Sequence, residues 1–391
     1  MSTRMAAAGG DYECRSACSN IPTTTMTTLT ILNGNGLLGQ HLINVITDYE
    51  KFASIRVWNA DAKQVNRLPA NNNAMPVNFQ YFVGPKSLGE AIFGSDVVIN
   101  LREYFDASNC PNDQKIDLIN RRFVEKVTAC CQDAEVKVLI QLSSIYVQCT
   151  PMWPNVYQRE AAVAETGTIP FQSYVRSKGH AENRVFLAGD DLRVVIVRVG
   201  PLYGEGDICS PVCDALKVGA NLGYIPVYGD RGGVMQMTYA GNVAHSIVQM
   251  AAEMMENEKK VHQEVVTICD DTPLKDIYTT VLEPLACRRD LPLGSSSIPF
   301  YVLFPVFVII AWMARLFYFF GLRTPFANAP DPVYIYFMFR HWTCFSDFRM
   351  RIFFDLEPKY TYKESIERCR SYYQTLNVDK IHHFSWKNNS Y

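Results

Sequence analysis

The chain has 391 residues, close to half of them hydrophobic, and a formal net charge of −2. That length can bury a large core and holds a nucleotide-sized domain with a smaller second one. Near-neutral charge without a basic block argues against nucleic acid as a partner. Twelve scattered cysteines with no Cys-x-x-Cys pair argue for reduced thiols in a cytosol-facing protein, not for a disulfide framework or a metal site.

Residues 1–26 are rich in Ser, Thr, Ala and Gly and carry no apolar run of signal-peptide length. A disordered N-terminal extension is expected there, with Cys14 and Cys18 as ordinary thiols. A β-rich run then leads into Asn33-Gly34-Asn35-Gly36-Leu37-Leu38-Gly39, and helical spacing follows at Leu42, Ile43, Val45 and Ile46. A strand, a Gly-x-Gly-x-x-Gly turn and a helix make a dinucleotide-binding unit. The glycines let the main chain approach a pyrophosphate, and the helix N-terminus stabilises its charge. Asn33, Gly34, Gly36, Leu37, Leu38 and Gly39 are therefore candidate cofactor contacts.

The next strand, Ser54–Asn59, ends twenty residues after Gly39. An acidic residue at that point would bind the adenosine ribose of NAD. Asn59 stands there instead and can still bond the ribose, and no arginine follows directly for the 2′-phosphate of NADP. NAD is favoured, with NADP as the alternative. Asn78–Val83 and Val97–Leu101 read as the third and fourth strands and Ile116–Cys131 as a helix. Val136–Leu142 reads as a strand that delivers Ser143 and Ser144 at its carboxyl end, where ligands of open α/β sheets bind. A helix around Tyr174 and a strand at Leu192–Val199 follow. The β-α alternation implies an α/β fold, a Rossmann-like doubly wound parallel sheet with right-handed crossovers, over residues 27–200. A smaller C-terminal substrate-binding part is expected over 201–376, and a tail over 377–391.

Tyr174 and Lys178 stand four residues apart, which puts phenol and ammonium on one helix face. A nearby ammonium favours phenolate, and a phenol so tuned can take a proton from an alcohol or give one to a carbonyl. The Ser144 hydroxyl can hold the same substrate oxygen.

With these residues in place the sequence resembles the extended short-chain dehydrogenase/reductases, and more narrowly the 3β-hydroxysteroid dehydrogenase/Δ5-Δ4 isomerase family. The resemblance rests on Gly36-Leu-Leu-Gly39-Gln40, Asn120, Ser143-Ser-Ile-Tyr-Val147, Tyr174-Val-Arg-Ser-Lys178, Arg198 with Tyr203-Gly-Glu-Gly206, Tyr239-Ala-Gly-Asn-Val-Ala244 and Asp355–Glu364. It covers about residues 27–376. Asn33 stands where the family has Gly, Asn59 where it has an acid, Leu101-Arg102 where it has small residues, and Phe123 where it has Gly. The resemblance implies oxidation of a 3β-hydroxysteroid to the 3-ketosteroid with NAD(P). Tyr174 would take the hydroxyl proton, Lys178 would hold the cofactor ribose, Ser144 would orient the substrate oxygen, and Asn120 would anchor a proton-relay water. Two other readings fit the same residues: a decarboxylating dehydrogenase of a 4-carboxysterol, and a membrane scaffold that binds nucleotide without turnover.

Between Asp290 and Arg315 lie 24 uncharged residues, with Leu316–Leu322 beyond, so 291–322 forms a hydrophobic insert long enough to span a bilayer. Pro299 and Pro305 interrupt it. Arg288, Arg289, Arg315 and Arg323 flank it without orientation bias. If Asp355–Glu364 packs back on the nucleotide domain, a single crossing would split one fold. A monotopic insertion that roofs the substrate pocket is therefore expected, on the cytosolic face of the endoplasmic reticulum or a mitochondrial membrane. The expected partners are a steroid or sterol, a membrane and a further copy of the chain.

Overall fold

The structure, a computed structural model, describes residues 27–47, 49, 51–61, 78–150, 154–158, 169–188, 192–229, 231–257, 261–287, 290–322, 324–381 and 384–388. The expectations for residues 1–26, including Cys14 and Cys18, and for Arg288, Arg289 and Arg323 lie outside the described residues.

Seven parallel strands make the main sheet: β1 (Thr27–Leu32), β2 (Phe52–Asn59), β3 (Asn78–Val83), β4 (Val97–Asn100), β5 (Val138–Ser144), β6 (Arg193–Val199) and β7 (Gln263–Ile268). Their order across the sheet is β3-β2-β1-β4-β5-β6-β7. Strands β4, β5 and β6 are buried along their whole length, as centre strands covered on both faces must be. The order reverses between β1 and β4, which opens a crevice at the carboxyl ends of the strands. Helices α1 (Leu37–Ile46) and α4 (Ala240–Glu256) bury their apolar faces on one side of the sheet. Helices α2 (Phe123–Asp133) and α3 (Gln172–Phe186) cover the other.

The helix expected over Ile116–Cys131 is interrupted. Asp117–Arg122 form a π-helical turn before α2, and this wider turn carries the fully buried Asn120. Such turns recur at functional sites because the extra residue re-aims a side chain inward.

The later part of the chain packs into a core shared with the nucleotide-binding part: Tyr203, Leu216, Tyr278, Phe337 and Tyr373 cluster with Phe105, Tyr146 and Tyr174. The hydrophobic insert divides in two. Leu293–Ile298 is a strand parallel to Ile225–Tyr228, and Phe300–Phe319 is a twenty-residue helix, α5. The closing segment does return to the nucleotide domain: Phe354 and Leu356 join the core against the sheet, and Asn242 of α4 exchanges hydrogen bonds of 2.8 and 2.9 Å with the Tyr360 main chain.

The tail expected over 377–391 is part of the fold where it is described. Lys387–Asn388 pair antiparallel with Phe105–Asp106, and Ala107 N donates to Trp386 O at 2.6 Å. Polar composition suggested a free end, but the segment finds unpaired main-chain groups at Phe105–Asp106 to bond.

Candidate active site

Tyr174 and Lys178 lie on the inner face of α3, both essentially inaccessible. Ser144 ends β5, and its Oγ accepts a hydrogen bond from Tyr146 N at 3.3 Å. The strand-then-turn places Ser144 and Tyr174 on the wall of one small cavity, with Glu103, Phe105 and Tyr146. Ser143, its neighbour, donates to Glu182 Oε1 at 2.6 Å. Glu182 in turn takes two hydrogen bonds from the Arg198 guanidinium, at 3.0 and 2.6 Å. This buried pair ties α3 to the ends of β5 and β6, so Arg198 acts here as a brace beneath the site.

The sequence reading missed Glu103. Its carboxylate is buried between the two catalytic candidates: the Tyr174 hydroxyl donates to Oε1, and Lys178 Nζ donates to Oε2 at 2.9 Å. Lys178 Nζ also donates to the Leu142 carbonyl at 3.3 Å. The expected action of the ammonium on the phenol is thus mediated by a carboxylate between them, and Tyr174 is the hydrogen donor of its pair. No spacing rule could have found this contact, which joins positions 71 and 75 residues apart.

Asn120 bonds the Tyr104 main chain and the Ser177 hydroxyl. Its Oδ1 accepts from Tyr104 N at 2.9 Å, and its Nδ2 donates to Tyr104 O at 2.8 Å and to Ser177 Oγ at 3.3 Å. It clamps the segment that carries Glu103.

At the other end of the crevice the turn has the shape the sequence implied. Asn33 adopts a left-handed φ of 71°, which Asn tolerates better than most residues. A Cβ on Gly34 would come within 2.4 Å of Val57, and one on Gly39 within 2.6 Å of the Gly34 main chain. Gly36 caps α1, and Leu37 and Leu38 are buried behind the turn. Asn59 Oδ1 accepts from Asn35 N at 3.2 Å, while Asn59 Nδ2 and both side-chain polar atoms of Asn35 are buried without a hydrogen-bond partner in the chain. Buried polar groups are normally satisfied. A close-approach turn at a helix N-terminus with orphaned amide groups fits the diphosphate and ribose of a dinucleotide. Arg102 lies over the Phe123 and Trp58 rings beside this end, 4.4 and 5.6 Å from their centroids.

The cavity walled by Ser144 and Tyr174 measures about 30 Å³, room for little more than a water molecule. Across Tyr334 and Pro211, which wall both, lies a larger cavity of about 240 Å³. Its lining is almost wholly apolar and includes Ile225, Met338, and Leu303 and Phe307 of α5. Among the described residues no lysine or arginine lines either cavity. The chain end seals the junction: Ser385 lines the smaller cavity and Trp386 the larger. Asp214 holds this end by accepting from Ser385 N at 3.0 and 3.2 Å and from Ser385 Oγ. Burial pushes the Asp214 carboxyl up to about 7, against the lowering effect of the Ser385 hydrogen bonds.

The model of the 3-beta hydroxysteroid dehydrogenase/isomerase family matches residues 30–299. A sterol-4-alpha-carboxylate 3-dehydrogenase (decarboxylating) of Saccharomyces cerevisiae is 25% identical over 62% of this chain and 70% of its own length. A 3 beta-hydroxysteroid dehydrogenase/Delta 5→4-isomerase of vaccinia virus is 25% identical over 56% of this chain and 64% of its own. Among solved structures, a UDP-glucuronic acid 4-epimerase of Bacillus cereus, held with UDP-glucuronic acid and NAD, superposes with a TM-score of 0.61 at 14% identity, covering 90% of this chain and 100% of that one.

Proposed function

The chain belongs to the 3-beta hydroxysteroid dehydrogenase/isomerase family, and from that premise we propose that it oxidises the 3β-hydroxyl of a neutral steroid to the ketone with NAD. The observation that carries the reading is the placing of Ser144 and Tyr174 on a cavity beside an apolar chamber walled by α5. NAD supplies the hydride acceptor when bound. Asn33, Gly34, Gly36, Leu37, Leu38 and Gly39 would hold its diphosphate end, Asn59 its adenosine ribose, and Lys178 the ribose near the reacting carbon. Ser144 Oγ orients the substrate hydroxyl, and Tyr174, as phenolate once its own proton has been released, takes the substrate's proton as hydride leaves for NAD. Asn120 keeps the strand end beside them in place.

The yeast relative favours a second substrate, a 4-carboxysterol. A carboxylate next to the reacting carbon would need a cation, and the cavity walls present Glu103 and Asp214 instead. That distribution favours the uncharged steroid.

The apolar chamber meets α5, of whose residues only Phe300, Ala311 and Ala314 are buried. Trp312, Ile309 and Phe319 point outward with 65%, 58% and 82% exposure. Phe300 starts the helix, Ala311 and Ala314 lie in its second half, and Arg315 beside them pairs with Asp331 of the body. A helix held along its length presents one face sideways, which supports insertion into one leaflet of a cytosol-facing membrane, with the steroid entering the chamber from the acyl region.

The test is NADH fluorescence in membranes bearing the chain, supplied with NAD and pregnenolone or dehydroepiandrosterone. Tyr174→Phe should lower turnover by roughly 10²–10⁴-fold, the usual weight of a positioned acid-base group. Unchanged turnover in that variant sinks the assignment. Absorbance of the conjugated enone in the same samples reports any accompanying isomerisation.

A further inference from the structure

We propose that Glu103 holds the Tyr174–Lys178 pair closed, so that the cofactor's nicotinamide half binds only when this carboxylate leaves Lys178. The inference rests on the dehydrogenase reading above and goes beyond it, because that reading needs only the tyrosine, the lysine and the serine.

Three observations carry it. Both carboxylate oxygens of Glu103 are engaged, one by each catalytic candidate, at 4% exposure. Lys178 is equally buried, so Glu103 is the counter-charge that makes its ammonium tolerable there. The cavity bounded by Glu103, Ser144 and Tyr174 is about 30 Å³. A nicotinamide riboside does not fit beside the carboxylate in its present place.

The route out is restricted. Leu101 N is bonded to Leu32 O at 3.1 Å, and the Tyr104 main chain is clamped on both sides by Asn120. The backbone flanking Glu103 is pinned before and after it, so the side chain must rotate about its own bonds. A neutral ribose diol would then bond Lys178 in place of an anion. That exchange gives up a charge-assisted hydrogen bond inside a low-dielectric site, and so opposes cofactor binding. Glu103 is a positioning residue here: it acts on the cofactor through Lys178 and Tyr174.

The experiment is a titration of the full-length chain with NADH, followed by its fluorescence, for the wild type, Glu103→Gln and Glu103→Ala. Gln keeps the shape and a hydrogen-bonding end but removes the charge, and it serves if the Ala variant fails to fold. Glu103→Gln should bind NADH about tenfold more tightly, a difference of ~1.4 kcal/mol. Equal or weaker binding by Glu103→Gln, with measurable binding by the wild type, overturns the role of Glu103 and leaves the cofactor reading standing. Absence of NADH binding in all the folded variants overturns the cofactor reading, and this inference with it.

Discussion

Gly39 shows how tightly single positions are set in the cofactor turn. A Cβ there would lie within 2.6 Å of three main-chain atoms of Gly34, which have no flexible end to give way. Gly39→Ala should cost about 1–3 kcal/mol through this overpacking, read as a lower urea midpoint with unchanged slope. Asn33 already pays part of such a cost at φ 71°, so Asn33→Gly should leave stability unchanged or raise it by up to about 1 kcal/mol. The residues legible in the sequence were those whose relation is local. Tyr174 and Lys178 are one helical turn apart, Ser144 follows from the end of an apolar strand, and the glycines follow from a strand-turn-helix order. Glu103 was illegible because its partners come from a helix 71 and 75 positions further on, and because the sequence pattern marked its neighbours Leu101 and Arg102 only as departures.

At the scale of elements, periodicity located strands well where both faces are covered. Expected and observed spans agree within one residue for β4 and within two residues at the start of β5, and the largely exposed edge strand Asn78–Val83 also matches its expected span. It did not divide the insert, because Phe300–Phe319 is apolar all round with no period to read, and Leu293-Gly-Ser-Ser-Ser-Ile298 carries too few apolar residues to mark a strand. Leu293–Ile298 becomes a strand by pairing with Ile225–Tyr228, a partner remote in sequence. For α5 the exposed face makes a specific demand. Replacing Ile309 and Trp312 together by Glu removes two outward apolar side chains from the helix without touching its buried alanines. The double variant should move from the membrane pellet to the supernatant on fractionation while its far-ultraviolet circular dichroism is unchanged. Retention in the pellet would mean that another surface carries the attachment.

At the scale of the whole molecule, the crevice at the strand ends is closed by the second part and finally by the chain end itself. Lys217 Nζ reaches Ile381 O at 2.8 Å and lies 4.4 Å from the Phe384 ring, Lys387 pairs with Asp106 at 3.6 Å, and Tyr334 and Asp214 both bond Ser385. Among these groups Asp214 makes closure depend on pH. Its folded value of about 7, raised by burial and by the nearby Asp207 carboxylate and lowered by Ser385 and Lys217, lies above the ordinary aspartate value of about 3.9. The closed state therefore binds more protons than the open or unfolded state between those two values. By linkage, its stability is greatest at the acid end of that window and declines as pH rises through about 7. Backbone exchange at residues 384–388, corrected for the intrinsic pH dependence of exchange, should accordingly slow several-fold from pH 8 to pH 5.5. Asp214→Asn keeps an acceptor for Ser385 but cannot titrate, so its exchange profile should be flat over the same range. An unchanged pH dependence in Asp214→Asn would assign the effect to a different group and separate the chain end from Asp214 control.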